Sequence, residues 1–224
     1  MSAMKDPPDR LELTDFPFFA GFSPEELSRA GLHGSARLLK PGEDLFHEGE
    51  LRARIWFLRS GWVRMRVHSN GGHEATAVIL GAGELCTANP LKGPSYTCTI
   101  TALTESSACG VPAAAFDSFL RGDVRAALRM AECMADRVQE IAQLKAINGE
   151  RAALRLTLTL AWLARKIGPR LPATRALLAE LTGLRAETCS RALSGLRRKG
   201  IVKVSPRVVH VLQPAKLEAL AAKR

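Results

Sequence analysis

The sequence predicts an α+β chain in three parts: a block of short β-strands, one long helix, and a helical segment closed by a small hairpin. Three observations predict it. Residues 37–111 break into short apolar runs divided by turn signals, with no helical pattern between them. Residues 123–148 repeat apolar side chains at helical spacing, with nothing to interrupt the helix. Residues 171–212 read as helix, Gly turn, helix and hairpin. The corresponding parts are 1–120, 121–148 and 149–224.

The strand block rests on RIWFL (54–58), WVRMRV (62–67) and ATAVIL (75–80), separated by KPGE, EGE, RSGW, NGG and GAGE at regular spacing. WVRMRV alternates apolar and basic residues, as a strand with one solvated face should. Asn70-Gly71 is a hairpin signal, because the favoured two-residue turn needs positive φ at both central positions. Short strands without intervening helices imply a sandwich or barrel of the jelly-roll kind. Helices bracket the block. In SPEELSRA (23–30) Ser23 caps, Pro24 opens the first turn and Glu26 completes a capping box. PAAAFDSFL (112–120) is the second.

In the long helix Val124, Ala127, Ala131, Met134, Val138 and Ile141 recur at alternating spacings of three and four. That is a heptad seam, and a seam this narrow suits a second helix, so association of two copies is expected. Residues 151–167 form a further Leu/Ala-rich helix ended by Gly168-Pro169. LPATRALLAELTG (171–183) follows, capped by Thr174 and closed by Gly183. The next helix runs to Lys199 and stops at Gly200, and IVKV, a Ser-Pro-Arg tip and VVHVL make a hairpin. On that helix Glu187, Ser190, Arg191 and Ser194 share one stripe, while Cys189, Ala192, Leu193 and Leu196 face the core.

Charge separates the parts. Residues 148–224 carry 16 Lys and Arg against 4 Asp and Glu, a balance of +12, whereas residues 1–147 balance at −2. A basic terminal domain on a nearly neutral one points to a polyanion. Helix, turn, helix and wing in such a segment predict a winged helix-turn-helix on double-stranded DNA. Composition fits a folded chain, at 46% apolar and 24% charged. No apolar run reaches the roughly 18 residues a membrane span needs. The N-terminus also lacks the basic start and apolar block of a secretory signal, so a cytoplasmic location is expected. The five cysteines lack metal-type CxxC spacing and are expected to be mainly thiols.

KPGEDLFHEGE, FLRSGWVRM and VILGAGEL, followed by GLRAETCSRALSGLRRKGIV, resemble in order the Crp/Fnr (cyclic-AMP receptor/fumarate–nitrate reductase regulator) transcription factors. The resemblance covers nearly all of the chain. It implies a cyclic-nucleotide-binding-type β-roll, a dimerisation helix at the seam, and a recognition helix in the second half of the helix-turn-helix. It implies RNA polymerase as a partner and no catalysis. Glu187, Ser190 and Arg191 are similar to the fumarate–nitrate branch, which implies a palindrome with TTGA-type half-sites.

The chemistry agrees. Arg191 can donate two bonds to a guanine edge, and Glu187 can accept from a cytosine amino group. Arg185, Arg197, Arg198, Lys199 and Arg207 can neutralise phosphates, with Thr174, Thr188 and Ser194 supplying hydroxyl contacts. One departure is Arg185, where the family often has a capping Thr or Ser.

A second departure concerns the signal. The cyclic-AMP branch grips ribose and phosphate with a Gly-Glu pair and an Arg-Ser/Thr pair. Aligned from Gly83, those positions fall on Thr87-Ala88 and about Tyr96-Thr97, so both charged grips are missing. A cyclic phosphate without a cation is costly to desolvate, which argues against cyclic AMP. No cysteine precedes Cys86, which argues against the iron–sulfur centre of the oxygen-sensing branch. Haem in the roll stays open, with Cys86 and His47 as candidate ligands and His68 and His73 behind them. So does thiol oxidation at Cys189, which would push the recognition helix off its core. An unidentified small molecule, or no ligand, completes the alternatives.

Two other classes are weaker. A metal-dependent cupin-type enzyme needs His and Glu clustered at HxH…E spacing, which His68, His73 and Glu74 do not supply. An RNA-binding protein would use aromatic side chains for base stacking, and none follows Trp162.

Overall fold

The structure is a computed structural model that describes residues 12–68, 71–72, 74–87 and 93–222. The Asn70-Gly71 turn therefore lies partly outside the described residues, as do His73 and Ala88. After two short 3-10 turns, α1 (Pro24–Arg29) begins on the expected capping box. Ser23 Oγ accepts from the Glu26 amide at 3.2 Å, and the Ser23 amide donates to Glu26 Oε2 at 2.7 Å.

Seven strands follow: β1 (Ser35–Leu39), β2 (Asp44–Phe46), β3 (Arg54–Ser60), β4 (Val63–His68), β5 (Glu74–Leu80), β6 (Thr99–Ala102) and β7 (Ser106–Pro112). They form two sheets, in the orders β1-β7-β3 and β2-β6-β4-β5, the jelly-roll predicted. β4 alternates as its sequence requires, with Val63 and Met65 buried and Arg64 and Arg66 on the other face. β3 is apolar on both sides because both sides are covered. Its Ile55 and Phe57 enter a cluster with Phe16, Phe18, Phe19 and Phe116. The Phe19 and Phe57 rings lie 5.0 Å apart, and those of Phe18 and Phe116 5.3 Å. Each buried Phe contributes about 1.5–3 kcal/mol of transfer free energy.

The helices α2 (Ala113–Gly122) and α3 (Val124–Ile147) follow. α3 carries two seams rather than one, an inner mixed one and an outer apolar one. Ala126, Met130, Arg137 and Leu144 are buried, with Cys133 and Glu140 half-buried between them. On the other side Val124, Ala127, Leu128, Ala131, Val138 and Ile141 are exposed. Met134 departs from the expected seam, being partly buried against the aromatic cluster. Leu128, which the heptad reading omits, is 59% exposed. The inner side of the second half is ionic: Glu140 pairs with Lys166, and Arg137 Nη1 lies 4.0 Å from it.

The C-terminal segment comprises α4 (Ala152–Ile167), β8 (Arg170–Leu171), α5 (Arg175–Thr182), α6 (Ala186–Arg198), β9 (Val202–Val204), β10 (Val209–Val211) and α7 (Pro214–Ala221). The wing has three strands, β8-β10-β9, one more than the hairpin predicted. β8 is two residues long and leaves no periodic signal. α7 was also not anticipated; it packs on α4, buries Leu217, and pairs Glu218 with Arg165 at 3.0 Å. The chain divides into two compact units, residues 1–68 with 79–136, and residues 69–78 with 137–224. Among the described residues no helix is long and apolar enough to cross a membrane.

Candidate nucleic-acid interface

The candidate interface is built from α5, its turn and α6. α5 starts where Thr174 Oγ1 accepts from the Leu177 amide at 3.1 Å. A hydroxyl that accepts in this way keeps its own proton free to donate outward. α5 stops at Gly183, whose φ of 58° suits glycine far better than any side chain. The Leu184 amide reaches back to the Ala179 carbonyl at 3.0 Å, and Gly183 to that of Glu180 at 3.1 Å. This is the paired closure expected of a helix ending on a left-handed glycine.

α6 then presents two chemically distinct faces. Cys189, Leu193 and Leu196 are buried, and Glu187 and Arg191 are exposed, with Thr188, Ser190 and Ser194 half-buried at the edges. Glu187 lies in the first helical turn, where the dipole favours a carboxylate. That role stabilises the helix and still leaves its oxygens exposed. Arg185 occupies the N-cap with extended backbone and no side-chain cap bond, as its sequence position foretold. Arg197, Arg198 and Lys199 are exposed at the far end, and Arg207 at the wing tip. Arg175 and Lys203 are also exposed. Attention to the helix alone missed them; their charge and their place at the start of α5 and in the wing strand were the available signal.

Cys189 is fully buried, and burial pushes its thiol above the ordinary range. The thiolate, which oxidants attack, is thereby disfavoured. In the roll, Cys86 is also fully buried, whereas the His47 side chain is 59% exposed, 3.3 Å from Asp44 and 4.0 Å from Glu50. Tyr96 stands where the resemblance puts the phosphate-binding arginine. Its ring stacks on Phe46 at 3.7 Å. Its hydroxyl accepts from Trp56 Nε1 at 3.2 Å and donates to the Arg54 carbonyl at 2.8 Å. Thr87, in the place of the family's Gly, is buried.

Comparison with known proteins agrees with both halves. Residues 36–123 match the cyclic nucleotide-binding domain family, and residues 154–220 match the Crp-like helix-turn-helix domain. The chain is 30% identical over 208 residues to the cyclic AMP receptor protein of Thermus thermophilus, covering 92% of this chain and 96% of that relative. It is 28% identical over 196 residues to the transcriptional activator FnrA of Stutzerimonas stutzeri, covering 83% and 80%. Among solved structures, FixK2 from Bradyrhizobium japonicum superposes with a TM-score of 0.73 at 21% identity, over 86% of this chain and all of that one. A β-roll of the cyclic-nucleotide-binding type joined to a Crp-like DNA-binding domain makes this chain a member of the Crp/Fnr family of transcription regulators.

Proposed function

We propose that the chain acts as a homodimer that reads a TTGA-type palindrome and is controlled through its β-roll by a signal other than cyclic AMP. Residues 1–120 would sense, 121–148 would pair the two copies, and 149–224 would bind DNA. The observation that carries the reading is the outward face of α6, where exposed Glu187 and Arg191 flank Ser190 above a fully buried Cys189 and Leu193. On a helix seated in the major groove, that stripe is the base-reading one. The exposed cations at 185, 197, 198, 199 and 207 supply the phosphate term, which is sequence-independent and salt-sensitive. Dimerisation is supported by the outward seam of α3, where Val124, Leu128 and Val138 are 75%, 59% and 68% exposed.

The signal is argued from Tyr96. One relative is named for cyclic AMP, but here the equivalent position holds a stacked, hydrogen-bonded phenol and no cation. A cyclic phosphate entering there would lose its hydration and, among the described residues, meet a phenol at the position where the resemblance places a cation. RNA polymerase is the expected protein partner, and the cytoplasm the expected compartment.

The test is titration of a TTGA palindrome and a scrambled duplex at fixed salt, with an absorbance spectrum of protein purified anaerobically from cells given haem precursors. Tight, selective binding that cyclic AMP does not change supports the proposal. Equal binding to both duplexes overturns the half-site. A Soret band with affinity altered by carbon monoxide makes the signal a haem gas and sends the search to Cys86 and His47.

A further inference from the structure

Arg155, the fourth residue of α4, sits between two stretches of backbone distant in sequence. Its Nε and Nη2 donate to the Glu150 carbonyl at 3.2 and 3.0 Å, and its Nη1 donates to the Thr182 carbonyl at 3.0 Å. Glu150 belongs to the short connector between α3 and α4. Among the described residues, the connector also makes helical-type bonds, such as Gly149 to Ala146 at 3.0 Å and Glu150 to Ile147 at 3.1 Å. Thr182 is the last residue of α5, one step before the turn into α6.

The glycine closure of α5 satisfies the Ala179 and Glu180 carbonyls but does not reach that of Thr182. A cation at a helix C-terminus is favourable in charge as well as in hydrogen bonding. The planar fork of a guanidinium can hold two acceptors at fixed separation, which a single ammonium cannot. The side chain of Gly183 is absent where it would stand 3.7 Å from Nη1, so the turn lies directly against the clamp. The start of α6 has no cap of its own at Arg185. Its first turn therefore follows directly on the Gly183–Leu184 turn, while the body of the helix packs on α4 and α5.

We infer that Arg155 is a positioning residue for DNA reading: its guanidinium fastens the connector after α3 to the turn before α6, and so sets where α6 starts. The inference rests on α6 being the reading helix. Movement of the connector is then carried to the recognition turn through one side chain, with no contact between Arg155 and DNA.

The experiment compares wild-type protein with Arg155→Lys on palindromic and scrambled duplexes across a salt series, with thermal unfolding alongside. Lysine keeps the charge and loses the fork. The expected result is a folded variant whose preference for the palindrome falls about tenfold, the size of a one-base-pair error in reading. Its salt slope should stay unchanged, because no phosphate contact is lost. A lysine variant with full preference overturns the inference. So does a slope smaller by about one phosphate contact, which would make Arg155 a DNA ligand.

If the variant is too unstable to titrate, hydrogen exchange on the wild-type chain decides. A shared clamp makes the amides of residues 149–150 and 183–184 open together, at rates within about tenfold of each other. Unrelated rates overturn it. Wild-type protein that does not prefer the palindrome would instead fail the α6 reading, and the two failures are separable.

Discussion

At the scale of single residues, the basic domain contains exposed cations in two different settings. Arg191 stands in the exposed stripe of α6 beside Glu187, whereas Arg198 lies in its last turn among Arg197 and Lys199. Arg191→Ala should cost about 1–3 kcal/mol on the cognate site and relax discrimination at one base pair. Arg198→Ala should weaken every sequence alike and flatten the salt dependence by about one contact. Affinities of both variants on a set of single-base substitutions, measured at several salt concentrations, check the assignment. The reverse pattern would exchange reader and anchor. The exposed stripe itself was legible from sequence because helical spacing sorts side chains into faces before any coordinates exist. Arg155 was not legible. A guanidinium that serves carbonyls 5 residues before it and 27 after it leaves no pattern in the chain.

At the scale of elements, local signals located every helix but α7 and read only one of the two seams of α3. Ser23, Pro24 and Glu26 predicted α1, and Thr174 and Gly183 bounded α5, because caps are chemical events confined to a few residues. α3 is different. Its inward seam runs through Ala126, Met130, Cys133, Arg137, Glu140 and Leu144. Two charged residues in six disguised it as a polar face, and the ion pair with Lys166 that makes their burial tolerable is tertiary. Met134 was consequently assigned outward.

The start of α3 also has a pH-sensitive fastening. Arg125 Nη2 bonds Asp123 Oδ2 at 2.7 Å and Glu26 Oε1 at 2.8 Å. The Arg125 side chain chiefly holds the Asp123 carboxyl below its ordinary value. For Glu26 the Ser23 amide is the larger cause and Arg125 the second. A carboxyl depressed in the fold contributes stability above its unfolded value of 3.8 or 4.5, and that contribution is lost as pH falls through the folded value. Arg125→Ala should therefore lower the melting temperature at neutral pH, with the gap from wild type closing below about pH 4. Melting curves of both proteins across that range are the check.

At the scale of the whole molecule, the two matched domains are a cyclic nucleotide-binding domain and a Crp-like helix-turn-helix domain, and the outward seam of α3 is the surface through which two copies would meet under the proposed function. An Asp at the centre of an apolar seam must be desolvated against apolar partners, so Val138→Asp should abolish dimers. Sedimentation should then show a monomer, and the palindrome should bind far more weakly while the melting temperature changes little, since Val138 is 68% exposed. A dimer that survives the substitution would move the interface elsewhere. The ordered turns of the roll and the basic tail made this architecture readable. What controls it was not readable, because a binding pocket is defined by side chains brought together from separate strands.

Tyr96 offers a way in, through spectroscopy. It is the chain's single tyrosine, and it lies inside the roll. Burial raises its phenol above the ordinary value of 10.0, outweighing the hydrogen bond it accepts from Trp56. An acid raised in this way favours the fold below its unfolded value, and that contribution is lost as pH rises through the folded one. The ultraviolet phenolate band therefore belongs to one side chain in one place. A molecule that enters the roll and unstacks Phe46 from Tyr96 would shift that titration, and candidate signals could be screened by it without knowing a single target gene.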